Sequence, residues 1–574
     1  MRSKRQTGLI ISFLILGLTG RASSAEETVN GELGQKIDRY MQKVEASGYA
    51  GSVLVAQGKD IILAKGYGLA DRENKVQETA DTVFSIGSIT KQFTGAAILK
   101  LEMMGKLSVT DLMTKYLENV PPDKKDITLH HLLTHSAGFR GALGDDYNPI
   151  GREDFIQLAL ASGLLFKPGE RYEYSNVGFS LLGIIVELVS GKNYEDFLYQ
   201  ELFKPAGMER TGYLRPGFAK SELAVGYRGE ERWGTALDRP WRPEGPGWHL
   251  RANGGILSTV RDMHRWYLAL KNDAVLSPAA RQKYFAPHIK EYADGNSYYG
   301  YGWVSQKTGR GNTLIWHNGG NGIYNAFLGF ELETDLMVIV SSNIAGKISD
   351  SYADRIAQLV SGDYEELDER LLGEYAGIYS LPSGAKIGVR FDENDNLLAT
   401  YRAKELVGLL AASGKEVKSE VELFDRKTGE MLNSALAGDY AALAAAWGQP
   451  LEGVKARASA FWGAKKKKWG EVKGLEVLGT LSRPGNLFTY VRVDFEQGSG
   501  FFTYIWDRDS GRLQEMREAE SLERQFEPRS RNEFFSPAIG ATVVFEKDEK
   551  GEFTLIIKKG GTETRARKAT AARE

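Results

Sequence analysis

Two groups of strand-like runs stand nearly a whole domain apart, and that separation constrains the fold more than any other feature. Gly51-Ser-Val-Leu-Val-Ala56 and Asp60-Ile-Ile-Leu-Ala-Lys-Gly-Tyr-Gly68 flank Gln57-Gly58-Lys59 and read as a β-hairpin. Strand patterns return only at Tyr301–Val304, Thr313–Trp316, Tyr324–Glu331 and Leu336–Ser341. Between about Thr90 and Tyr199 the apolar residues repeat at helical spacing, as they do from Gly31 to Ala46 and from Ser349 to Val360. Strands at both ends with helices between predict one antiparallel sheet built from both termini and covered by a helical layer, an α+β domain over residues 26–362.

The chain has 574 residues, too many for this domain alone. A second region, 368–574, is β-rich, with strand patterns at Tyr375–Ser380, Lys386–Phe391, Leu397–Tyr401, Thr542–Glu546 and Phe553–Lys558. Its middle, about 425–520, has a different texture. Thr428 to Trp469 is Ala-rich and helical, ending in the Lys465–Lys468 run. Three strand patterns follow, at Leu487–Phe495, Phe501–Asp507 and Leu513–Glu518. The lysine run reads as a solvated helix face.

The N-terminus has the form of an export signal. Arg2, Lys4 and Arg5 precede the short apolar stretch Leu9–Leu18, and Ser23-Ser24-Ala25 offers a cleavage site after Ala25. Residues 1–25 are expected to be removed, leaving a secreted or periplasmic protein with no membrane span, because no other run approaches about 20 apolar residues. Cysteine is absent, which excludes disulfides, thiolate metal sites and a Cys nucleophile. Lys plus Arg is 73 and Asp plus Glu is 75, so nothing in the charge balance points to nucleic acid.

Three short patterns carry chemistry. Ser88-Ile-Thr-Lys91 opens a helical stretch, so Ser88 falls in the first turn and Lys91 on the same face. A helix N-terminus favours a developing oxyanion, and a neighbouring Lys can take the Ser proton. Ser383-Gly-Ala-Lys386 has the same spacing but starts a strand after Pro382, and reads as accidental. Tyr174-Ser175-Asn176 precedes the apolar run Phe179–Val189. Its phenol suits proton transfer, and its carboxamide suits holding a substrate amide or ester. His317-Asn318-Gly319-Gly320 follows the strand Thr313–Trp316. The glycines let a substrate lie along the edge, and the imidazole can line the cleft and orient a carboxylate or assist proton transfer. Two literal Lys-Thr-Gly triplets, Lys307–Gly309 and Lys427–Gly429, read as hairpin turns on the surface. A Lys beside a phenol at a helix N-terminus is expected to lower the pKa of both. His131 and His135 have the spacing of zinc ligands, but Leu132 replaces the Glu such a helix would carry, and no metal is expected. His130, His249, His264 and His288 read as structural or surface residues.

Taken in order, these patterns resemble the serine β-lactamase and penicillin-binding protein superfamily, above all its class C-like branch of β-lactamases, D-alanyl-D-alanine carboxypeptidases and esterases. Phe84-Ser-Ile-Gly-Ser-Ile-Thr-Lys91, His131-Leu-Leu-Thr-His-Ser-Ala-Gly138, Pro168-Gly-Glu-Arg-Tyr-Glu-Tyr-Ser-Asn176 and Tyr301-Gly-Trp303 carry the resemblance. It implies a β-lactamase/transpeptidase-like fold and an acyl-enzyme at Ser88, activated by Lys91. It also implies Tyr174 as acid/base, Asn176, His317 and Gly319 toward the substrate, and an oxyanion hole from the N–H groups of Ser88 and Gly320. Small esters or D-amino-acid peptides would be substrates, with no cofactor. The family's β-lactamases usually carry Lys where this chain has His317, which speaks for a peptidase or esterase over a β-lactamase. A penicillin-binding protein or sensor that acylates without turnover is the further alternative. Leu372-Gly-Glu-Tyr-Ala-Gly-Ile-Tyr379 and the closing strands resemble lipocalin-like barrels appended to this family. The insertion is distantly similar to nuclear-transport-factor-2-like cones.

Overall fold

The computed structural model describes residues 27–292, 295–364, 367–401, 403, 405–406, 409, 415–483, 485–508, 510–519, 522–536 and 540–569. The expected export signal lies outside them.

The first domain is organised by one nine-stranded antiparallel sheet. From one edge to the other its strands are Thr28–Val29, Asp60–Tyr67, Gly51–Gln57, Leu336–Ser342, Asn325–Glu331, Thr313–Gly320, Val304–Lys307, Ser297–Tyr299 and Ile289–Lys290. The expected closure from both ends is met at its centre, where Val53 pairs with Val340 and Leu54 with Ile339. These two central strands are apolar at almost every position because both faces are covered. The two-residue period divides them. Val53, Val55, Val338 and Val340 pack under the helices Gly31–Ala46 and Ser349–Ser361. Leu54, Ala56, Met337 and Ile339 face the helical layer on the other side.

Two helices dominate that layer, Thr90–Met103 and Asn176–Ser190. The second is buried at every residue from Val177 to Val186, as expected of a helix packed on all sides, and stops at Gly191 in the left-handed region.

The C-terminal region is a closed eight-stranded antiparallel barrel. Its strands are Gly377–Ser380, Lys386–Phe391, Leu397–Tyr401, Leu522–Ser530, Glu533–Ser536, Ala541–Lys547, Phe553–Lys559 and Thr562–Lys568, the last pairing with the first. The insertion leaves after the third strand and returns at the fourth. It has helices Lys415–Leu436, Ala441–Trp447 and Leu451–Trp469 and its own sheet. That sheet has four strands, not the three read from the sequence: Val472–Arg483 precedes Asn486–Phe495, Gly498–Asp507 and Leu513–Ala519. Lys427-Thr-Gly429 also needs correction. It lies inside the helix Lys415–Leu436, not in a hairpin turn. Phe424, Thr428, Met431, Leu432 and Ala435 are buried at helical spacing and outweigh the roughly 1 kcal/mol cost of Gly429. Lys427 is half-buried and donates to the Gly511 carbonyl at 2.7 Å. The Lys307 triplet, in contrast, does sit at the turn after Val304–Lys307 and is exposed.

A polar turn of the barrel, Asp392–Asn396, docks on the first domain. Asp395 is 1% exposed and takes the Lys43 ammonium, the Tyr364 hydroxyl and, at 3.3 Å, the Leu367 N–H. Arg355 donates to Asn396 Oδ1 at 2.8 Å, the Tyr40 hydroxyl donates to Asn394, and Tyr352 donates to Glu393 at 2.9 Å.

Candidate active site

Ser88 lies in a tight turn, Gly87–Ile89, that feeds the helix Thr90–Met103, and Lys91 follows one turn later with its side chain fully buried. Lys91 Nζ is 3.0 Å from Ser88 Oγ, 2.8 Å from Asn176 Oδ1 and 2.7 Å from the Asn253 carbonyl. The last two partners can only accept. A neutral amine has two N–H groups and one lone pair, so with both N–H groups engaged the lone pair is left for the Ser88 proton. Burial lowers the Lys91 pKa well below that of a free lysine, opposed by the charge of Asp146. Burial thus disfavours the charged form of Lys91 beside the hydroxyl.

Tyr174 lies in the loop before Asn176–Ser190, its ring 4.7 Å from Lys91 Nζ. Burial raises the Tyr174 pKa, and a hydrogen bond with Ser88 offsets this only in part. The expectation that Lys and Tyr both fall is therefore corrected: desolvation disfavours whichever form is charged, so it lowers the amine and raises the phenol.

The strand Thr313–Gly320 runs directly against the Ser88 turn. A Cβ on Gly319 would lie 2.0 Å from the Ile86 carbonyl oxygen and 2.7 Å from Ser88 N. One on Gly87, where φ is +50°, would lie 2.4 Å from Gly320 N. Only glycine allows this approach, which sets the backbones of Ser88 and Gly320 side by side.

His317 is placed behind the cleft. It is 3% exposed, with Nδ1 2.5 Å from the Asn318 carbonyl and Nε2 2.9 Å from the Tyr299 hydroxyl. Burial first, then the Lys91 charge, pulls its pKa down to about 3. The neutral ring therefore donates from Nδ1 to the carbonyl and accepts the Tyr299 proton at Nε2. His135 packs its ring 4.4 Å from that of Tyr174 and accepts from the Ser175 N–H at 3.0 Å. It lies beyond the helix Leu129–Leu133 that carries His131, so the two do not share a helix face. Among the described residues no group of three or more His, Asp or Glu is arranged to hold a metal.

The cleft above Ser88 is lined by Asn176, Gly320 and residues that the sequence reading did not single out: Asp146, Tyr147, Asn253 and Gly254. The Asn253-Gly-Gly255 segment repeats the Asn-Gly-Gly of 318–320, a signal that could have marked it. Asp146 and Tyr147 sit on a loop with no such pattern. Tyr147 accepts from Asn321 Nδ2 at 2.9 Å. Burial raises the Asp146 pKa, against the opposing pull of Lys91.

Comparison with known proteins bears on the family and the fold. The family model described as Beta-lactamase matches residues 33–362, more than half the chain. PbpX of Bacillus subtilis (strain 168), by its name a penicillin-binding protein, is 31% identical over 264 residues, covering 46% of this chain and 65% of that protein. Protein flp of Staphylococcus aureus (strain COL) is 25% identical over 321 residues, covering 54% and 63%. The chain thus spans somewhat under two thirds of these relatives. In fold it is similar to the octameric penicillin-binding protein homologue from Pyrococcus abyssi, with a TM-score of 0.54 and 23% identity over 94% of this chain and 99% of that one.

Proposed function

Because the chain belongs to the beta-lactamase family, we propose that it is a serine hydrolase working through an acyl-enzyme at Ser88, on small esters or on short peptides containing D-amino acids. The observation that carries this reading is the set of three contacts at Lys91 Nζ, two to acceptors and one to Ser88 Oγ. In the proposed sequence Lys91 takes the Ser88 proton as Oγ bonds to the substrate carbonyl carbon. The N–H groups of Ser88 and Gly320 hold the oxyanion. Collapse of that intermediate breaks the bond to the leaving group, which takes a proton from the Tyr174 phenol, and Lys91 returns its proton to Tyr174. Water then attacks the ester by the same route and frees Ser88. Asn176 holds Lys91 and faces the substrate. His317 and Gly319 serve from behind, one by positioning Tyr299 and the other by allowing the close approach.

The choice among substrates rests on charge. Among the described residues lining the cleft none is Lys or Arg, and Asp146 is acidic. That favours neutral esters and amine-bearing amides over β-lactams and peptides ending in a carboxylate. Export to the periplasm or beyond is part of the proposal and rests on residues 1–25; among the described residues no helix is long and apolar enough to cross a membrane.

Intact-protein mass spectrometry with a p-nitrophenyl ester, a D-amino-acid amide and a β-lactam tests the reading. Steady turnover of the first two with a transient adduct at Ser88 supports it. A single burst that leaves a permanent adduct would make the protein an acylated sensor, and turnover of the β-lactam alone would make it a β-lactamase.

A further inference from the structure

The insertion encloses a cavity that the chemistry at Ser88 does not use. It lies between the helices Ala441–Trp447 and Leu451–Trp469 and the strands Gly498–Asp507 and Leu513–Ala519. Its volume is about 440 Å³, within the range of small-molecule sites. Leu443, Val454, Phe461 and Trp462 make it mainly apolar.

Its polar groups point to one kind of occupant. Tyr504 lines the cavity, is 1% exposed, and its hydroxyl has no hydrogen-bond partner. The hydroxyl is shielded from the cavity as well as unpaired, so Tyr504 adds only ring surface to the lining. Arg457 also lines it and is exposed, holding the Gln449 side chain with one nitrogen and keeping further N–H groups for another partner. No Asp or Glu is among the lining residues. The lining therefore combines an apolar body with hydrogen-bond donors and a cation.

We propose that this cavity is a binding site for a small amphipathic carboxylate, such as a medium-chain fatty acid. Apolar burial supplies the affinity, at about 0.8 kcal/mol per CH₂. The Arg457 guanidinium selects the acid group over an alcohol or an ester. The site is separate from Ser88, so the proposal stands or falls independently of the hydrolase reading.

Sodium decanoate and decanol, below their aggregation concentrations, are titrated into the full-length protein by calorimetry and by tryptophan fluorescence, since Trp447 and Trp462 line the cavity. Saturable 1:1 binding of decanoate is expected, with decanol at least about 10-fold weaker. Arg457→Gln, at an exposed position, should weaken decanoate about 10-fold without changing decanol. Ala458→Trp, which fills the cavity, should abolish binding. Unchanged melting curves and ester turnover certify that the variants fold. No saturable binding, or decanoate affinity unchanged in both Arg457→Gln and Ala458→Trp, overturns the site. Equal affinity for decanol and decanoate overturns the assignment of an acid.

Discussion

Lys91 Nζ lies 4.7 Å from the ring centre of Tyr174, and the same burial moves the two groups in opposite directions. Burial disfavours the ammonium and the phenolate alike. In the proposed mechanism that separation casts the amine as the base and the phenol as the acid.

The nucleophile is tested first. Ser88→Ala should lower kcat/KM by at least about 10³-fold and abolish labelling by a fluorophosphonate probe. Labelling that survives the substitution would place the nucleophile elsewhere.

Activity should rise with pH as Lys91 loses its proton, at an apparent pKa below that of a free lysine, and should not fall again until well into the alkaline range, because Tyr174 keeps its proton. Between the folded and unfolded pKa values of Lys91 the unfolded chain binds the extra proton, so stability rises with pH there. Lys91→Met removes that term along with the activity. The Tm difference between the variant and the parent should change in the parent's favour from pH 7 toward pH 10, which thermal melts across that range will check.

Tyr174→Phe keeps the packing against His135 and removes only the proton relay. A loss of about 10²-fold or more in kcat is expected, with an unchanged melting temperature. Full activity in this variant would leave Lys91 as the only proton carrier.

In the proposed mechanism His317 positions Tyr299 and does not touch the substrate, so His317→Ala should lower kcat by about 10-fold with KM within about 2-fold of the parent. Tyr299→Phe should reproduce that pattern, while Lys307→Ala on the exposed turn should be neutral. A rise in KM alone for His317→Ala would place the imidazole in the cleft.

The turn at Asp395 gives a prediction about stability. Asp395→Ala leaves the Lys43 ammonium, the Tyr364 hydroxyl and the Leu367 N–H without their acceptor, and should cost on the order of 2 kcal/mol. Chemical denaturation monitored by tryptophan fluorescence will measure it.

Much of the proposed site could be assembled from sequence because its residues follow one another. Ser88 and Lys91 are one helical turn apart, Tyr174 and Asn176 are two residues apart, and the central strands are short, strongly apolar runs. Asn253 meets Lys91 through a backbone carbonyl, which any residue type can offer, so only the repeated Asn-Gly-Gly pattern could have marked it. Asp146 was hidden on a loop whose position depends on the assembled fold. The strand Val472–Arg483 was missed because its ladder is interrupted at Val472/Gly474 and Val477/Gly479, where bulges and glycines break the alternation. The direction of the Tyr174 shift was misread because local charges can be named from sequence, whereas desolvation depends on everything packed around the ring.

The Asp392–Asn396 turn makes the barrel a poor candidate for exchange. The tyrosines and cations that grip it are spread over the first domain, at Tyr40, Lys43, Lys347, Tyr352 and Arg355, with Tyr364 just beyond it. A shortened chain ending before the barrel would expose all of them at once. A hybrid carrying another barrel would need the same five-residue tip in the same place. In recombination, natural or engineered, the catalytic body and this turn are inherited together.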